Sequence, residues 1–358
     1  MQTRPAIFSS LALCGLLLTG PNRPRAQTQP AQQAPRLRDR YVLDSNSGIP
    51  STPVRIPEGI AFDPLGGDFY ATAVFGGRIT SIDAQTGIEQ TFYQETNPNT
   101  AFVGAKVAPF RRVLWVCAID VTTVQTGATS EVVAFSIGRD GQGQLIRRLP
   151  LPSPFFCNDL SLDDWGNVFV TNTHGAAVLR IRPRALWDFA EGAEVFAQGP
   201  ELAPTLDATG QPVGMNGIAV TPDNQHLIVA RGLPAQLLRI PLANPSQIKP
   251  VELSGDNLGE LPGAPPRVFN PDGVAFVRGK LYVVFRAGVQ QVSFSGRGYE
   301  RAQVQTTIDV PYGLSTAAAA YQHLYVVDSE IHVLANDPSL PIELPHQLVR
   351  IPLARFDR

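Results

Sequence analysis

Four residues with side-chain oxygen, Glu58, Asn158, Asn216 and Asp272, each open a similar stretch of chain. The stretches are Glu58-Gly59-Ile60-Ala61-Phe62, Asn158-Asp159-Leu160-Ser161-Leu162, Asn216-Gly217-Ile218-Ala219-Val220 and Asp272-Gly273-Val274-Ala275-Phe276. Hard oxygen donors with neither thiolate nor imidazole suit calcium first and magnesium second, and argue against zinc. Two carboxylates neutralise a divalent cation only in part, so it would still polarise a substrate oxygen as a Lewis acid. Asn-Gly or Asp-Gly alone is a common turn signal. What singles these four out is that they share one register of a repeated unit.

The repeat supplies the elements that would gather them. Each opening is followed by an alternating apolar strand, a turn and a second strand, as in Phe69 to Thr72, Val168 to Thr171, Leu227 to Ala230 and Leu281 to Phe285. A third alternating strand follows at Arg78 to Asp83, Ala177 to Ile181, Gln236 to Ile240 and Val289 to Phe294. A divergent unit opens at Val103-Gly104, and a last one at Tyr312-Gly313. Starts at 58, 103, 158, 216, 272 and 312 lie roughly 40 to 58 residues apart, a spacing that predicts propeller blades. The expectation is an all-β, six-bladed β-propeller of four-stranded antiparallel blades around a central channel. A single blade cannot bury both faces, so the ring must close, and Arg40 to Leu43 is the strand expected to close it on the outer edge of the sixth blade.

First strands are innermost in such a ring, so their opening residues converge where the channel meets one face. Loops between second and third strands return to that face. They bring Asn172, His174, Arg231 and Arg286 to the rim, with His174 as an acid/base or oxyanion contact and the arginines as anchors for a carboxylate or phosphoryl oxygen. Asp159, next to a candidate ligand, is expected to hydrogen-bond behind the metal site.

Net charge is −2, pI is near 6.2 and 17% of residues are charged, which leaves no basic stripe for nucleic acid or anionic lipid. A small-molecule partner is the better expectation, with the protein a monomer. There is no Gly-x-Ser-x-Gly elbow and no phosphate-binding glycine loop. Residues 1–26 read as a secretory signal, with Arg4, an apolar run from Ala6 to Leu18 and Ala26 at the cleavage point, so the mature protein is expected to be secreted or periplasmic without a membrane span. Residues 27–39, rich in Gln, Pro and Arg, read as a disordered leader, and 40–358 as the propeller. Once Cys14 is removed with the signal, Cys117 and Cys157 remain; they either pair in an oxidising compartment or are simply buried.

With Pro57-Glu58-Gly59, Asn158-Asp159, Asn216-Gly217 and Pro271-Asp272-Gly273 in this order, the chain from about residue 50 onward resembles the six-bladed propeller hydrolases of the regucalcin, gluconolactonase and diisopropylfluorophosphatase type, with paraoxonases as more distant relatives. The resemblance implies a catalytic divalent cation, usually calcium, on Glu58, Asn158, Asn216 and Asp272. It also implies hydrolysis of a lactone or phosphoester, with Asp272 as general base or nucleophile. Sugar-lactone members carry polar or basic side chains ahead of the first Asn, where this chain has Phe155-Phe156-Cys157, so an apolar lactone, ester or organophosphate-like substrate is expected against Phe155 and Phe156. Strictosidine-synthase-like propellers share the fold without the metal set. A non-catalytic propeller that binds a ligand or protein around a structural ion is the alternative from another class.

Overall fold

The computed structural model describes residues 37–49, 52–124, 128–208, 210–261, 270–310, 313–331, 342 and 344–357. Six antiparallel sheets follow one another in chain order. The first comprises Pro57–Asp63, Asp68–Ala73, Arg78–Asp83 and Glu89–Gln94. Blade 2 runs from Thr100–Ala108 to Gly143–Pro150, blade 3 from Cys157–Leu162 to Ala193–Gln198, and blade 4 from Met215–Val220 to Lys249–Pro250. Blade 5 runs from Pro271–Val277 to Arg301–Asp309, and gains a fifth strand, Glu252–Gly255, parallel to its outer edge. The sixth holds Leu314–Ala320, His323–Asp328 and Gln347–Ile351, and its outermost strand is Arg40–Val42 from the other end of the chain. The six-bladed propeller is thus as expected, closing strand included. Between blades 3 and 4 the chain also makes short 3-10 turns at Pro183–Leu186 and Pro200–Leu202.

Period-two alternation builds the core, because successive side chains of a strand face opposite sides of the sheet. In blade 1, Phe69 and Ala71 join the cluster shared with blade 6, while Tyr70 between them joins the cluster shared with blade 2. Six such clusters fill the six gaps between neighbouring blades. Burying one large side chain there contributes about 1.5–3 kcal/mol. At the closing seam Tyr41 stacks at 5.3 Å on Phe69 and 5.8 Å on Tyr325, and its hydroxyl donates to the Ala84 carbonyl at 2.6 Å. The Tyr325 hydroxyl donates to the Arg38 carbonyl at 2.6 Å and Leu37 is buried, so residues 37–39, expected in the leader, pack against the ring. The expected signal at 1–26, residues 27–36 of the expected leader and Tyr312 lie outside the described residues.

Candidate functional site

Every innermost strand breaks register at one point. Pairing lapses between Pro57 and Ile60, Phe102 and Ala105, Cys157 and Leu160, Met215 and Ile218, Pro271 and Val274, and Leu314 and Ala317. At each break two residues face one on the second strand, which is a β-bulge, a device that re-aims a side chain. The six bulges begin with Glu58, Val103, Asn158, Asn216, Asp272 and Ser315. Blade 6 therefore contributes Ser315 to this ring, and not Tyr312-Gly313 as the sequence suggested: its bulge follows Leu314, which pairs with Asp328.

The second bulge residue faces the neighbouring blade. A Cβ on Gly59 would be driven into the Val103 carbonyl, and one on Gly217 into the Asp272 carbonyl, so the first strands pack closer than any side chain there permits. Blade 3 carries Asp159 instead. Its carboxylate accepts from the Leu160 amide at 2.8 Å and from the Ile218 amide of blade 4 at 3.2 Å.

A bulge also leaves backbone groups out of the ladder, and the residue opposite completes them. The Gly59 amide donates to Thr72 Oγ1 at 2.8 Å, and that hydroxyl donates onward to the Val103 carbonyl of blade 2 at 2.7 Å. In blade 3 the Asp159 amide donates to Thr171 Oγ1 at 3.2 Å, and the hydroxyl to the Asn216 carbonyl at 2.7 Å. In blade 2 the same position is Cys117, which forms a disulfide with Cys157, the residue before Asn158, across a Cα–Cα distance of 5.5 Å. Ser315 Oγ donates to the Glu58 carbonyl at 2.8 Å, which ties blade 6 to blade 1.

The four sequence-selected donors meet. Glu58, Asn158, Asn216 and Asp272 line one small cavity with Asp159, Gly104, Gly273 and Thr316, with room for about one water-sized sphere. Glu58 is buried and its Oε2 has no hydrogen-bond partner. Burial, then the Asp272 and Asp159 carboxylates, hold the Glu58 carboxyl well above the usual range. Burial and then Asp159 push Asp272 up to about 8, against a hydrogen bond from the Asn216 side chain. Burial raises Asp159 too, opposed by Lys106 and its two amide donors. An orphaned buried carboxylate oxygen, three mutually repelling carboxyls and space for one small sphere fit a divalent cation. Among the described residues no group of three or more His, Cys, Asp or Glu is placed to hold a metal. The donor set here is different, since two of its four members are amides.

The rim differs from expectation. Phe155 is packed in the core between blades 2 and 3, because its backbone bonds Ala128 and turns the ring inward, so only Phe156 remains half-exposed. Asn172 is spent on the backbone: its Oδ1 accepts from the Phe156 and His174 amides at 2.9 and 3.0 Å. Arg231 donates to the Glu201 and Ala203 carbonyls and to Thr205, which pins that loop instead of anchoring a substrate. His174 does not line the cavity; its ring lies 4.8 Å from Phe156, and burial lowers its pKa. Arg286 stands in the turn directly after the second strand of blade 5, Lys280–Phe285, where its carbonyl accepts from the Leu314 amide. Sequence reasoning missed Ser315, Thr316 and the bulge-bridging role of Thr72 and Thr171, and the only signal for that pair was their recurrence where a second strand ends.

No protein-family profile matches the chain, and no curated protein matches it in sequence. Solved structures do match in fold. The major allergen Mala s 1 of Malassezia sympodialis superposes with a TM-score of 0.66 at 15% identity, covering 89% of this chain and 97% of that one. A gluconolactonase from Xanthomonas campestris gives 0.52 at 16% identity over 90% and 93%. A luciferin-regenerating enzyme gives 0.55 at 14% over 82% and 90%. At these identities the likeness is one of fold. Among the described residues no helix is long and apolar enough to cross a membrane.

Proposed function

We propose that this propeller is a calcium-dependent hydrolase of a small lactone, ester or organophosphate-like substrate, acting after export. The observation that carries the reading is the convergence of Glu58, Asn158, Asn216 and Asp272, from four blades, on one cavity with an unpartnered buried carboxylate oxygen. The gluconolactonase among the fold neighbours is in keeping with it, and the disulfide accords with an oxidising compartment.

A divalent cation held by Glu58, Asn158, Asn216 and Asp272 would supply Lewis-acid polarisation of a carbonyl or phosphoryl oxygen. The chain's own residues do the rest. The Asn216 side chain fixes the Asp272 carboxyl by hydrogen bonding, so Asp272 Oδ is positioned to take a proton from water or to attack directly. Asp159, fixed by two backbone amides, holds the first strands of blades 3 and 4 together behind the donors. The half-exposed Phe156 against His174 offers an apolar rim, which favours an apolar acyl or aryl group over sugar hydroxyls.

Because the cavity has room for the ion alone, the competing reading is a binding propeller with a structural cation. Calorimetry with calcium, followed by a panel of aliphatic lactones, aryl esters, phosphotriesters and gluconolactone with and without the ion, separates the two. The hydrolase reading expects about one calcium bound and metal-dependent turnover of an apolar member. Calcium binding without turnover of any member leaves the structural-ion reading, and absence of calcium binding sinks both.

A further inference from the structure

Three residues beyond each bulge opening, the innermost strands present a second ring: Ala61, Lys106, Ser161, Ala219, Ala275 and Ala318. With Phe62, Phe276 and their neighbours these residues line a chamber of about 250 Å³, roughly eight water molecules' worth of liquid. The first strands run from the Glu58 level toward Phe62, so this chamber occupies the channel on the side away from the candidate metal cage. Five of the six ring positions are Ala or Ser, too short to fill the channel, and Ser161 Oγ is already spent on the Val220 amide at 3.1 Å. The sixth is a lysine. Lys106 is half-buried and makes no hydrogen bond or ion pair among the described residues; its charge acts on the Asp159 carboxyl without a direct contact. Ile60, Ile218 and Val274 turn into the cores between blades, so the side chains left around this lone cation are alanine, serine, valine and phenylalanine, which suits an anionic head on a short apolar tail.

We propose that the chamber is a second ligand site, which takes a short aliphatic carboxylate with its head on Lys106 and its tail along Phe62, Ala219, Ala275 and Phe276. Nothing in this proposal requires the hydrolase reading. The carboxylate replaces the hydration of the Lys106 ammonium, and the tail removes the apolar lining from water. The carboxyls of Glu58, Asp159 and Asp272 line the neighbouring cage, so the site is set up best with a cation there to offset their charge.

Isothermal calorimetry on the folded mature protein at saturating calcium, with the series acetate, butanoate, hexanoate and decanoate, is the test. Affinity should rise about three- to fourfold per methylene up to hexanoate and then stop rising as the chamber fills, with hexanol and hexylamine at least tenfold weaker than hexanoate. Lys106→Met, which keeps the apolar stem, should cost hexanoate at least tenfold, and Ala275→Leu, which fills the chamber and keeps the lysine, should abolish binding. Any carboxylate held at the calcium cage survives in Lys106→Met and is thereby counted separately. Circular dichroism identifies a variant that has not folded, in which case the other variant and the hexanol comparison decide. The proposal is overturned if hexanoate does not bind, if hexanol binds equally well, or if both folded variants bind hexanoate as wild type does. Calcium titration is a separate readout, so loss of the cage reading and loss of this one are distinguishable.

Discussion

Blades 1 to 3 and blades 4 to 6 share one backbone plan and are fastened differently. Opposite the bulge stand Thr72, Cys117 and Thr171 in the first half, and Ala230, Val284 and Val327 in the second. The first three reach across to the next blade by a hydrogen bond, a disulfide and a hydrogen bond; the second three have only apolar side chains to offer. The consequence falls on the four donors. Glu58 is held through its carbonyl by Ser315, Asn158 through the disulfide of its neighbour, and Asn216 through its carbonyl by Thr171. Asp272 follows the unlatched blade 4, and no side chain bonds its carbonyl among the described residues. Three donors have their backbone tied to a neighbouring blade, whereas Asp272 is held at its carboxyl by the Asn216 side chain, a contrast that suits a division between binding an ion and doing chemistry.

The largest expected effect comes from the unlatched donor. Asp272→Asn keeps an oxygen for the cation and removes the base, so turnover at saturating calcium should fall at least about a hundredfold while calcium affinity in calorimetry falls far less. Equal losses in both would erase the distinction between Asp272 and the three donors tied through their backbone.

Next is the covalent latch. Cys117→Ala should cost about 2–4 kcal/mol in chemical denaturation and weaken calcium binding, because Cys157 adjoins Asn158; unchanged calcium affinity would show that Asn158 is held by its blade alone.

The hydrogen-bonded latch is smaller. Thr171→Val keeps the shape but orphans the Asp159 amide and the Asn216 carbonyl, at about 1–3 kcal/mol. Its complement, Ala230→Ser, gives blade 4 a hydroxyl where Thr72 and Thr171 stand. If the halves differ only in this side chain, the new bond should offset the hydroxyl's burial to within about 1 kcal/mol; a loss above that range would mean blades 4 and 5 meet with different geometry.

The mildest perturbation is pH. Glu58, Asp159 and Asp272 have raised pKa values in the metal-free fold, Asp272 to about 8. A raised carboxyl stays protonated in the native state while the unfolded chain has lost its proton, so the metal-free protein should lose stability as pH rises from about 6.5 to 8, above the range in which the histidines with lowered pKa, His346 to about 4, act in the opposite direction. Calcium should remove that slope and release protons on binding, measurable as a dependence of the calorimetric heat on buffer ionisation. A melting temperature of the metal-free protein that rises over this range would put the carboxyls elsewhere than face to face.

The same contrast shows what the sequence could reveal. Glu-Gly, Asn-Asp, Asn-Gly and Asp-Gly at the openings phased blades 1, 3, 4 and 5 correctly, and in blades 1, 4 and 5 close approach of the first strands demands the glycine. Ser315-Thr316 carries no such punctuation, and the nearby Tyr312-Gly313 drew the register three residues early. Rim loops could be assigned to a face, but not the direction of their side chains. Asn172 and Arg231 turned to the backbone because loop carbonyls and amides there had no ladder to join. The disulfide was open until Cys117 and Cys157 were brought to facing blades.

The strand Arg40–Val42 pairs with Gln347–Ile351 across some 300 residues of chain, far beyond the spacing of strands within a blade. So non-local a contact is reached last during folding, after the five blades between have docked. Until it docks, Gln347–Ile351 is an open sheet edge with unsatisfied amides and carbonyls, a template for a strand from another molecule. Tyr41, locked by two rings and a carbonyl, therefore guards against aggregation as much as it stabilises the ring, and a chain clipped after Leu43, which loses the closing strand, should associate edge to edge well before it unfolds.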